Sequence, residues 1–126
     1  MALNELKYIE VEEYKGKKGI YNLINFNLEN SGNSLDQFIT GKIRGEFAIL
    51  FEDYLKEKSN CINLSNMEEM DLDGVIALLA FSGMNRSKSY EKPVLIINEY
   101  SKIDRLLNAC GVRDNSFKVV YSLDEL

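Results

Sequence analysis

The sequence predicts an α/β fold in which a mixed sheet of four or five strands carries its helices mainly on one face. In the second half of the chain, short apolar runs alternate with segments whose apolar residues recur every three or four positions. Such strand–helix–strand units build parallel neighbours in a sheet. At the start of the chain, two segments of alternating apolar and polar residues flank a glycine-containing turn, as in an antiparallel hairpin.

The hairpin is predicted within residues 9–28. Ile9 and Val11 alternate with glutamates, and residues 15–19, Lys-Gly-Lys-Lys-Gly, have the composition of a turn. The apolar residues that follow with a period of two are Ile20, Ile24, Phe26 and Leu28. Two paired strands are expected from this pattern.

The first helix is predicted after a cluster of turn formers at 29–34. Its apolar face consists of Ile43, Phe47, Leu50, Phe51, Tyr54 and Leu55. Ser34 and Gln37 match the spacing of a capping box for a short turn before this helix, and Gly41 or Gly45 could interrupt the helix itself. These signals leave the start of the helix open.

A strand, a loop and a second helix are predicted next. Cys61–Leu64 is a short apolar strand, and Met67–Met70 is a loop. From Leu72 to Met84 the residues are apolar nearly all round, which is typical of a helix that is buried on most of its surface. This helix is expected to lie against the sheet.

The chain is predicted to end with a strand, a helix, a strand and a final capped turn. Pro93–Ile97 is a strand whose proline occupies the tolerated first position, and Phe117–Tyr121 is a further strand. Between them, Ser101 is expected to cap a helix that ends before Gly111. The side chains expected to face inward from it are Ile103, Leu106, Leu107 and Cys110. Ser122–Glu125 resembles a capping box.

Composition restricts the functions that this chain can have. A chain of 126 residues, 45% apolar and 28% charged, is expected to form one domain spanning residues 1–126. It contains no histidine, which is the usual general base and the commonest zinc ligand, so no cofactor or metal is expected. The net charge of −5 disfavours nucleic acid and anionic lipid as partners.

The expected location is the cytoplasm. The N-terminus lacks the order of basic and apolar residues of a signal peptide, and no apolar run approaches the about 20 residues that cross a bilayer. Direct membrane insertion is therefore not expected. Cys61 and Cys110 follow no metal-binding spacing and are expected to be small buried apolar residues.

One segment, Asp71-Leu72-Asp73-Gly74-Val75, combines residue types that occur together in functional motifs. Its letters are similar to the Asp-x-Asp-Gly-Thr/Val motif of the haloacid-dehalogenase-like phosphatases, in which one carboxylate attacks phosphorus, the next handles the proton and the site holds Mg²⁺. That motif needs a buried strand running into its first aspartate, whereas residues 66–70 read Asn-Met-Glu-Glu-Met. A Mg²⁺-dependent phosphatase using Asp71 and Asp73 is therefore the less favoured alternative.

The same segment, taken with its surroundings, resembles the STAS domain, named for sulfate transporters and anti-sigma factor antagonists. STAS domains carry a strand ending in Asp-Leu-Ser, a short loop, and Asp-Ser-Ser/Thr-Gly at the start of a buried helix. Here Ile62-Asn63-Leu64-Ser65 is followed by a loop of matching length and by Asp71-Leu72-Asp73-Gly74. Residues 106–112, Leu-Leu-Asn-Ala-Cys-Gly-Val, resemble the later Leu-Leu-x-x-x-Gly-Leu. The resemblance extends from about Ser59 to the C-terminus, whereas residues 1–58 match in element order alone.

The resemblance implies a regulatory domain that binds a protein and catalyses no reaction. In the antagonists, the second hydroxyl residue of Asp-Ser-Ser-Gly is phosphorylated by a partner that is both serine kinase and anti-sigma factor, and the unmodified form binds that partner. Leu72 and Asp73 replace both hydroxyl residues here, so the usual phosphate acceptor is absent. Asp73 either stands in for the phosphorylated residue or is a carboxylate favoured by the helix dipole.

Two further residues of the motif have expected structural roles. Asp71 is expected to cap the helix by accepting the backbone N–H of Asp73 or Gly74. Gly74 is expected to permit a close backbone approach. Asn63 replaces the aspartate that ends the strand in STAS domains, which removes a negative charge near the helix start.

The expected partner-binding surface is acidic. Glu68, Glu69 and Asp73 would form a rim that a basic partner surface recognises, and Ser65 remains as an alternative hydroxyl acceptor. The residues predicted to bind the partner are Ser65, Asn66, Glu68, Glu69, Asp71, Leu72, Asp73, Gly74 and Val75. The alternative within the same family is a constitutive scaffold subunit of a stressosome or of a transporter-associated complex.

Overall fold

The computed structural model of this protein describes residues 6–29, 32–55, 59–88, 91–113 and 115–126. Asn30 and Ser31, two members of the predicted turn cluster, lie outside these ranges. The strands are β1 (Ile9–Gly16), β2 (Gly19–Phe26), β3 (Ser34–Leu35), β4 (Ser59–Asn63), β5 (Glu69–Met70), β6 (Val94–Ile96) and β7 (Lys118–Val120). The helices are α1 (Thr40–Asp53), α2 (Leu72–Ser87) and α3 (Lys102–Ala109), and a short 3-10 helix, Leu123–Glu125, follows β7.

Five of the strands form one mixed sheet in the order β1-β2-β4-β6-β7. The first two pair antiparallel through the predicted hairpin, whereas β2, β4, β6 and β7 are parallel neighbours. The carboxyl ends of the four parallel strands therefore meet at one edge of the sheet. The predicted mixed α/β sheet is confirmed.

All three helices contribute to the core on one face of the sheet. Ile24, Ile62 and Leu95 lie side by side on neighbouring strands and belong to the large apolar cluster that includes the buried faces of the helices. Phe81 of α2 lies at its centre, with ring centroids 4.9 Å from Phe47, 4.8 Å from Phe51 and 6.5 Å from Phe117. These aromatic contacts join α2 to α1 and to the residue before β7. The prediction of helices on one face is confirmed.

The opposite face of the sheet is covered by the end of the chain. Its apolar cluster consists of Tyr21, Leu23, Cys61, Val94, Ile96, Val120 and Leu126. The carbonyl oxygen of Leu126 accepts the backbone N–H of Lys17 at 2.6 Å. A Cβ on Gly16 would overlap this carbonyl, so only glycine fits the hairpin at that position. The predicted capping box forms a 3-10 turn, in which the Glu125 carboxylate accepts the N–H of Ser122 at 3.1 Å.

A row of buried asparagines links the sheet to α2. The side-chain amide of Asn22 donates to Asn60 at 2.9 Å, and the amide of Asn60 donates to Asn85 of α2 at 2.8 Å. Asn85 in turn donates to the carbonyl oxygen of Glu91 at 2.7 Å. Because each amide along the row finds a hydrogen-bond partner, these polar groups are accommodated in the core.

The structure corrects the predicted loop and the predicted cap before the first helix. Within the predicted loop Met67–Met70, β5 pairs in parallel with β3 to form a separate two-stranded sheet. The predicted capping box of Ser34 and Gln37 is wrong. Ser34 belongs to β3, and its hydroxyl donates to Asp36 at 3.2 Å. Gly41 and Gly45 do not interrupt α1, which runs unbroken through both.

The predicted burial of Cys110 is also wrong. Cys110 is the C-cap of α3, and the next residue, Gly111, has a φ of 70° that turns the chain away. This geometry leaves the thiol exposed. Ile103 and Leu107 of the same helix are buried as predicted, and Leu106 is partly buried.

Candidate functional site

Asp71 organises the start of α2. One of its carboxylate oxygens, Oδ1, accepts the backbone N–H of Gly74 at 3.0 Å, which confirms the predicted N-cap. The other, Oδ2, accepts the backbone N–H of Gln37 at 3.0 Å. Each oxygen therefore holds a backbone amide, and the residue follows the two-residue β5 instead of a strand of the main sheet. This is not the strand-end position that a phosphatase nucleophile requires.

Gly74 permits the close approach that the sequence predicts. A Cβ at this position would overlap the carbonyl oxygen of Leu35 and lie 2.6 Å from Cγ of Met70. The first turn of α2 is therefore packed directly against the small sheet formed by β3 and β5. Gly74 and its neighbour Val75, both predicted to bind the partner, are buried on the inner side of α2 and are not available for contact with a partner.

The segment between β4 and β5 is held by hydrogen bonds to its backbone. The side chain of Asn63 donates to Asn25 at 3.0 Å and accepts the N–H of Ser65 at 3.0 Å, which starts a turn at Ser65 and Asn66. The carbonyl oxygen of Asn33 then accepts the N–H of Glu68 at 2.9 Å. Asn63 is thus bound to neutral partners at the end of its strand.

The loop after β6 is joined to the same segment. The side chain of Asn98 donates to the carbonyl oxygen of Ser65 at 2.7 Å. Lys102, in the first turn of α3, forms an ion pair with Glu69 at 3.3 Å. Three segments are therefore joined just before α2: residues 36–38, 65–71 and 98–102.

Acidic side chains remain exposed at this position. Asp73 lies in the first turn of α2 with its side chain in solvent, and Glu68 and Glu69 are exposed in the segment before the helix. A carboxylate in the first turn is favoured by the partial positive charge of a helix N-terminus, by about 0.3–1 kcal/mol. The structure places the predicted residues Glu68, Leu72 and Asp73 at the surface, together with Glu69 and the less exposed Ser65.

An apolar stripe on α2 is exposed, contrary to the prediction that this helix is buried on most of its surface. Leu72 is 63% exposed, Ile76 50% and Leu79 40%. Their spacing of four and three residues places them on one side of the helix. Only the opposite side, which includes Val75, Leu78 and Phe81, reaches the core. The sequence obscures this division because both sides of the helix are apolar.

Phe38 is a further exposed apolar residue near the start of α2, and no pattern in the sequence predicts its exposure. Its side chain is 81% exposed. It directly follows Gln37, the residue that donates to Asp71, so the bond between those two residues brings Phe38 to the segment where Leu72 begins α2. We refer to the exposed side chains of Phe38, Leu72, Asp73, Ile76 and Leu79 as the α2 surface.

A polar cleft of about 730 Å³ is lined in part by the segment that precedes α2. It opens at the edge where the parallel strands end, and Ser65, Asn66, Glu68 and Asn98 belong to its lining. Across the described parts of the chain, no group of three or more cysteine or acidic side chains is arranged to hold a metal ion. The described residues of the lining include Glu10, Glu29 and Glu68 and neither lysine nor arginine, so the charge of the cleft is negative.

The thiol of Cys61 is unreactive because it lies in the core. It is fully buried in β4, and burial raises the pKa of its thiol from 9.0 to about 12 because the charged form loses its hydration. Reactive thiols need the opposite shift. The predicted role of Cys61 as a small buried residue is confirmed.

None of the helices in the described ranges combines the length and the apolar composition needed to cross a bilayer.

Comparison with known proteins identifies the fold. The structure is similar to that of the anti-sigma factor antagonist SpoIIAA in its unphosphorylated form, with a TM-score of 0.58 and 14% identity over 93% of this chain and 91% of that one. It is also similar to an uncharacterised protein with a SpoIIAA-like fold from Shewanella loihica PV-4, with a TM-score of 0.53 and 11% identity over 94% and 90% of the two chains. No family model matches the sequence. No curated protein is detectably similar to it. The chain has a SpoIIAA-like fold, as the resemblance to STAS domains implies.

Proposed function

We propose that this protein is a non-enzymatic regulatory domain that binds a protein partner through the α2 surface, in the manner of an anti-sigma factor antagonist. The observation that carries the proposal is the exposed apolar stripe Leu72, Ile76 and Leu79 beside the exposed carboxylate of Asp73. Contiguous apolar side chains with a charged border are typical of protein-binding surfaces. Folding has not buried this stripe, although the opposite side of the same helix lies in the core.

The partner that we propose is an anti-sigma factor that is also a serine kinase. The SpoIIAA-like fold and the STAS-like order of motifs support this class of partner. Its binding surface is expected to offer an apolar groove for the stripe and basic side chains for Glu68 and Glu69. Complementary charges of this kind speed association and exclude wrong partners.

We further propose that Asp73 keeps the α2 surface permanently in a state that resembles the phosphorylated form of an antagonist. In the antagonists, a phosphate at this position of the motif adds about −1.5 to −2 charges to the start of the helix. Asp73 carries one permanent negative charge there and has no hydroxyl group to modify. The surface therefore presents part of the charge of the phosphorylated form at all times, and the kinase has no acceptor at this position.

Phosphorylation by a purified cognate kinase tests the fixed state. The protein is incubated with the kinase and ATP, and the product is analysed by intact mass and peptide mass spectrometry. We expect no phosphate on the wild type. The matched variant Asp73→Ser restores the hydroxyl and is expected to gain one phosphate at residue 73. Stoichiometric phosphorylation of the wild type at any serine, Ser65 included, would contradict the fixed state.

Affinity capture tests whether the charge of Asp73 selects the partner. Wild type, Asp73→Ser and Asp73→Asn are compared as baits, since the asparagine variant removes the charge without adding a hydroxyl. Stronger capture of the partner by both neutral variants than by the wild type is the result expected if Asp73 acts as a partial phosphate mimic. Identical partners for all three baits would leave Asp73 with its role in the helix dipole alone.

A further inference from the structure

Tyr100, in the loop between β6 and α3, is held in an unusual conformation. Its φ is 63°, in the left-handed region that bulky side chains avoid because Cβ approaches the backbone. The other described residues with positive φ are Gly19, Gly32, Gly111 and Asn33. Glycine and asparagine tolerate this conformation, so the chain uses the expected residues at four positions and a large aromatic residue at the fifth.

The surrounding residues fix the Tyr100 backbone and leave its ring in solvent. The backbone N–H donates to Asp104 Oδ2 at 2.9 Å, and the carbonyl oxygen accepts from Arg105 Nη1 at 2.9 Å. Asp104 is itself buried and pairs with Arg113 at 3.2 Å. The side chain of Tyr100 is nevertheless 79% exposed. Its ring therefore contributes little to the fold, which would accept asparagine or glycine with less strain.

The loop that carries Tyr100 is joined to the segment that precedes α2. The side chain of Asn98 donates to the carbonyl oxygen of Ser65, and Lys102 forms an ion pair with Glu69. Ser65 and Glu69 are among the residues predicted to bind the partner. A strained residue held by several contacts points to function when the strain serves nothing in the fold. Tyrosine is also among the residues that contribute most to binding at protein interfaces.

We propose that Tyr100 is a preformed anchor for the same protein partner and inserts its ring into an apolar pocket on that partner. This inference rests on the proposed function and adds a second contact to it. The partner fits two apolar features at once, the stripe on α2 and the ring of Tyr100, with a basic side chain facing the exposed Glu99 that precedes Tyr100 in the sequence. A rigid backbone at Tyr100 means that little conformational freedom is lost when the partner binds.

Paired measurements of stability and affinity test this proposal, with the purified anti-sigma factor kinase as the probe. Tyr100→Asn relieves the strain and removes the ring, Tyr100→Phe keeps the ring, and Ile76→Glu tests the α2 surface separately. We expect Tyr100→Asn to unfold at a temperature no lower than that of the wild type and to bind the kinase at least about tenfold more weakly. Tyr100→Phe should bind within about threefold of the wild type, because an apolar pocket accepts the ring.

The outcomes separate this inference from the proposed function. If Ile76→Glu weakens binding and Tyr100→Asn does not, Tyr100 is not an anchor, while the α2 surface stands. A lower unfolding temperature for Tyr100→Asn would show that the ring serves the fold, which also overturns the inference. If the wild type does not bind the kinase, the proposed function fails and the inference fails with it.

Discussion

Asp71 accepts the backbone N–H of Gln37 at 3.0 Å, which joins two segments that are 34 residues apart in the sequence. The same carboxylate caps α2 through Gly74. A single side chain thus starts the helix that carries the α2 surface and holds beside it the loop that carries Phe38. The geometry of the proposed binding surface depends on this residue, although Asp71 is not expected to contact the partner.

Replacement of Asp71 is predicted to destabilise the fold. Asp71→Ala removes the helix cap, which is worth about 0.5–2 kcal/mol, and also the bond to Gln37. We expect the free energy of unfolding to fall by about 1–3 kcal/mol, measured by urea denaturation. Asp71→Asn is the matched variant: its one carbonyl oxygen can cap the helix, so it should lose about half as much. Equal stability of Asp71→Ala and wild type would show that neither bond matters.

Replacement by alanine is predicted to destabilise the protein at one glycine of α2 and to stabilise it at another. Gly74→Ala forces a Cβ against the carbonyl oxygen of Leu35, and overpacking of this kind costs about 1–3 kcal/mol. At Gly83 an added Cβ would have open space within 4 Å, so Gly83→Ala should stabilise the helix by about 0.5–1 kcal/mol. Denaturation midpoints of both variants check the pair. A stabilising Gly74→Ala would refute the close contact with β3.

The two cysteines are predicted to differ in reactivity. Cys61 is buried and its thiol has a pKa raised to about 12, whereas Cys110 is exposed at the end of α3. A thiol reagent such as dithionitrobenzoate should therefore modify Cys110 in the folded protein and both residues in denaturant. The site of modification is checked by peptide mass spectrometry. Rapid modification of Cys61 under native conditions would contradict its placement in the core.

The buried thiol of Cys61 is predicted to make stability depend on pH in the alkaline range. In the unfolded chain Cys61 loses its proton near its ordinary pKa of 9.0, whereas burial keeps it protonated in the folded chain until a pKa of about 12. Its contribution to stability is therefore complete below pH 9.0 and is lost as the pH rises toward 12. The difference in unfolding free energy between wild type and Cys61→Ala should shrink between about pH 8 and about pH 10.5. A constant difference would argue against the raised pKa.

Local patterns predicted most of the fold because most of its signals are local. Ser101 caps α3 by accepting the N–H of Asp104 at 3.1 Å, as its position before an apolar face predicts. The hairpin likewise follows from its own alternation and turn. The pairing of β3 with β5 is different, since it joins two dipeptides, Ser34–Leu35 and Glu69–Met70, that are too short for any period to show. Such pairing depends on distant parts of the chain.

The exposed side chains of the α2 surface could be predicted only in part. Leu72 and Asp73 follow from the motif, whereas the apolar pattern predicts that Ile76 and Leu79 are buried, and both are exposed. A helix that is apolar on both sides gives no sequence signal for the side that faces solvent, because its hydrophobic pattern has no clear direction. No pattern in the sequence predicts that Phe38 and Tyr100 are exposed, because the residue type alone does not distinguish an exposed aromatic side chain from a buried one. Their exposure is visible in three dimensions alone.

The affinity of the purified anti-sigma factor kinase for two isoleucine variants tests the proposed binding surface most directly. Ile76 on the α2 surface and Ile20 at the start of β2 are similarly exposed, at 50% and 44%, but Ile20 lies at the opposite end of the parallel strands from the proposed surface. Ile76→Glu and Ile20→Glu therefore place the same charge on matched sites. We predict that Ile76→Glu binds at least about tenfold more weakly than the wild type and that Ile20→Glu binds equally well. Wild-type affinity in Ile76→Glu, or equal losses in both variants, would contradict the α2 surface as the binding site.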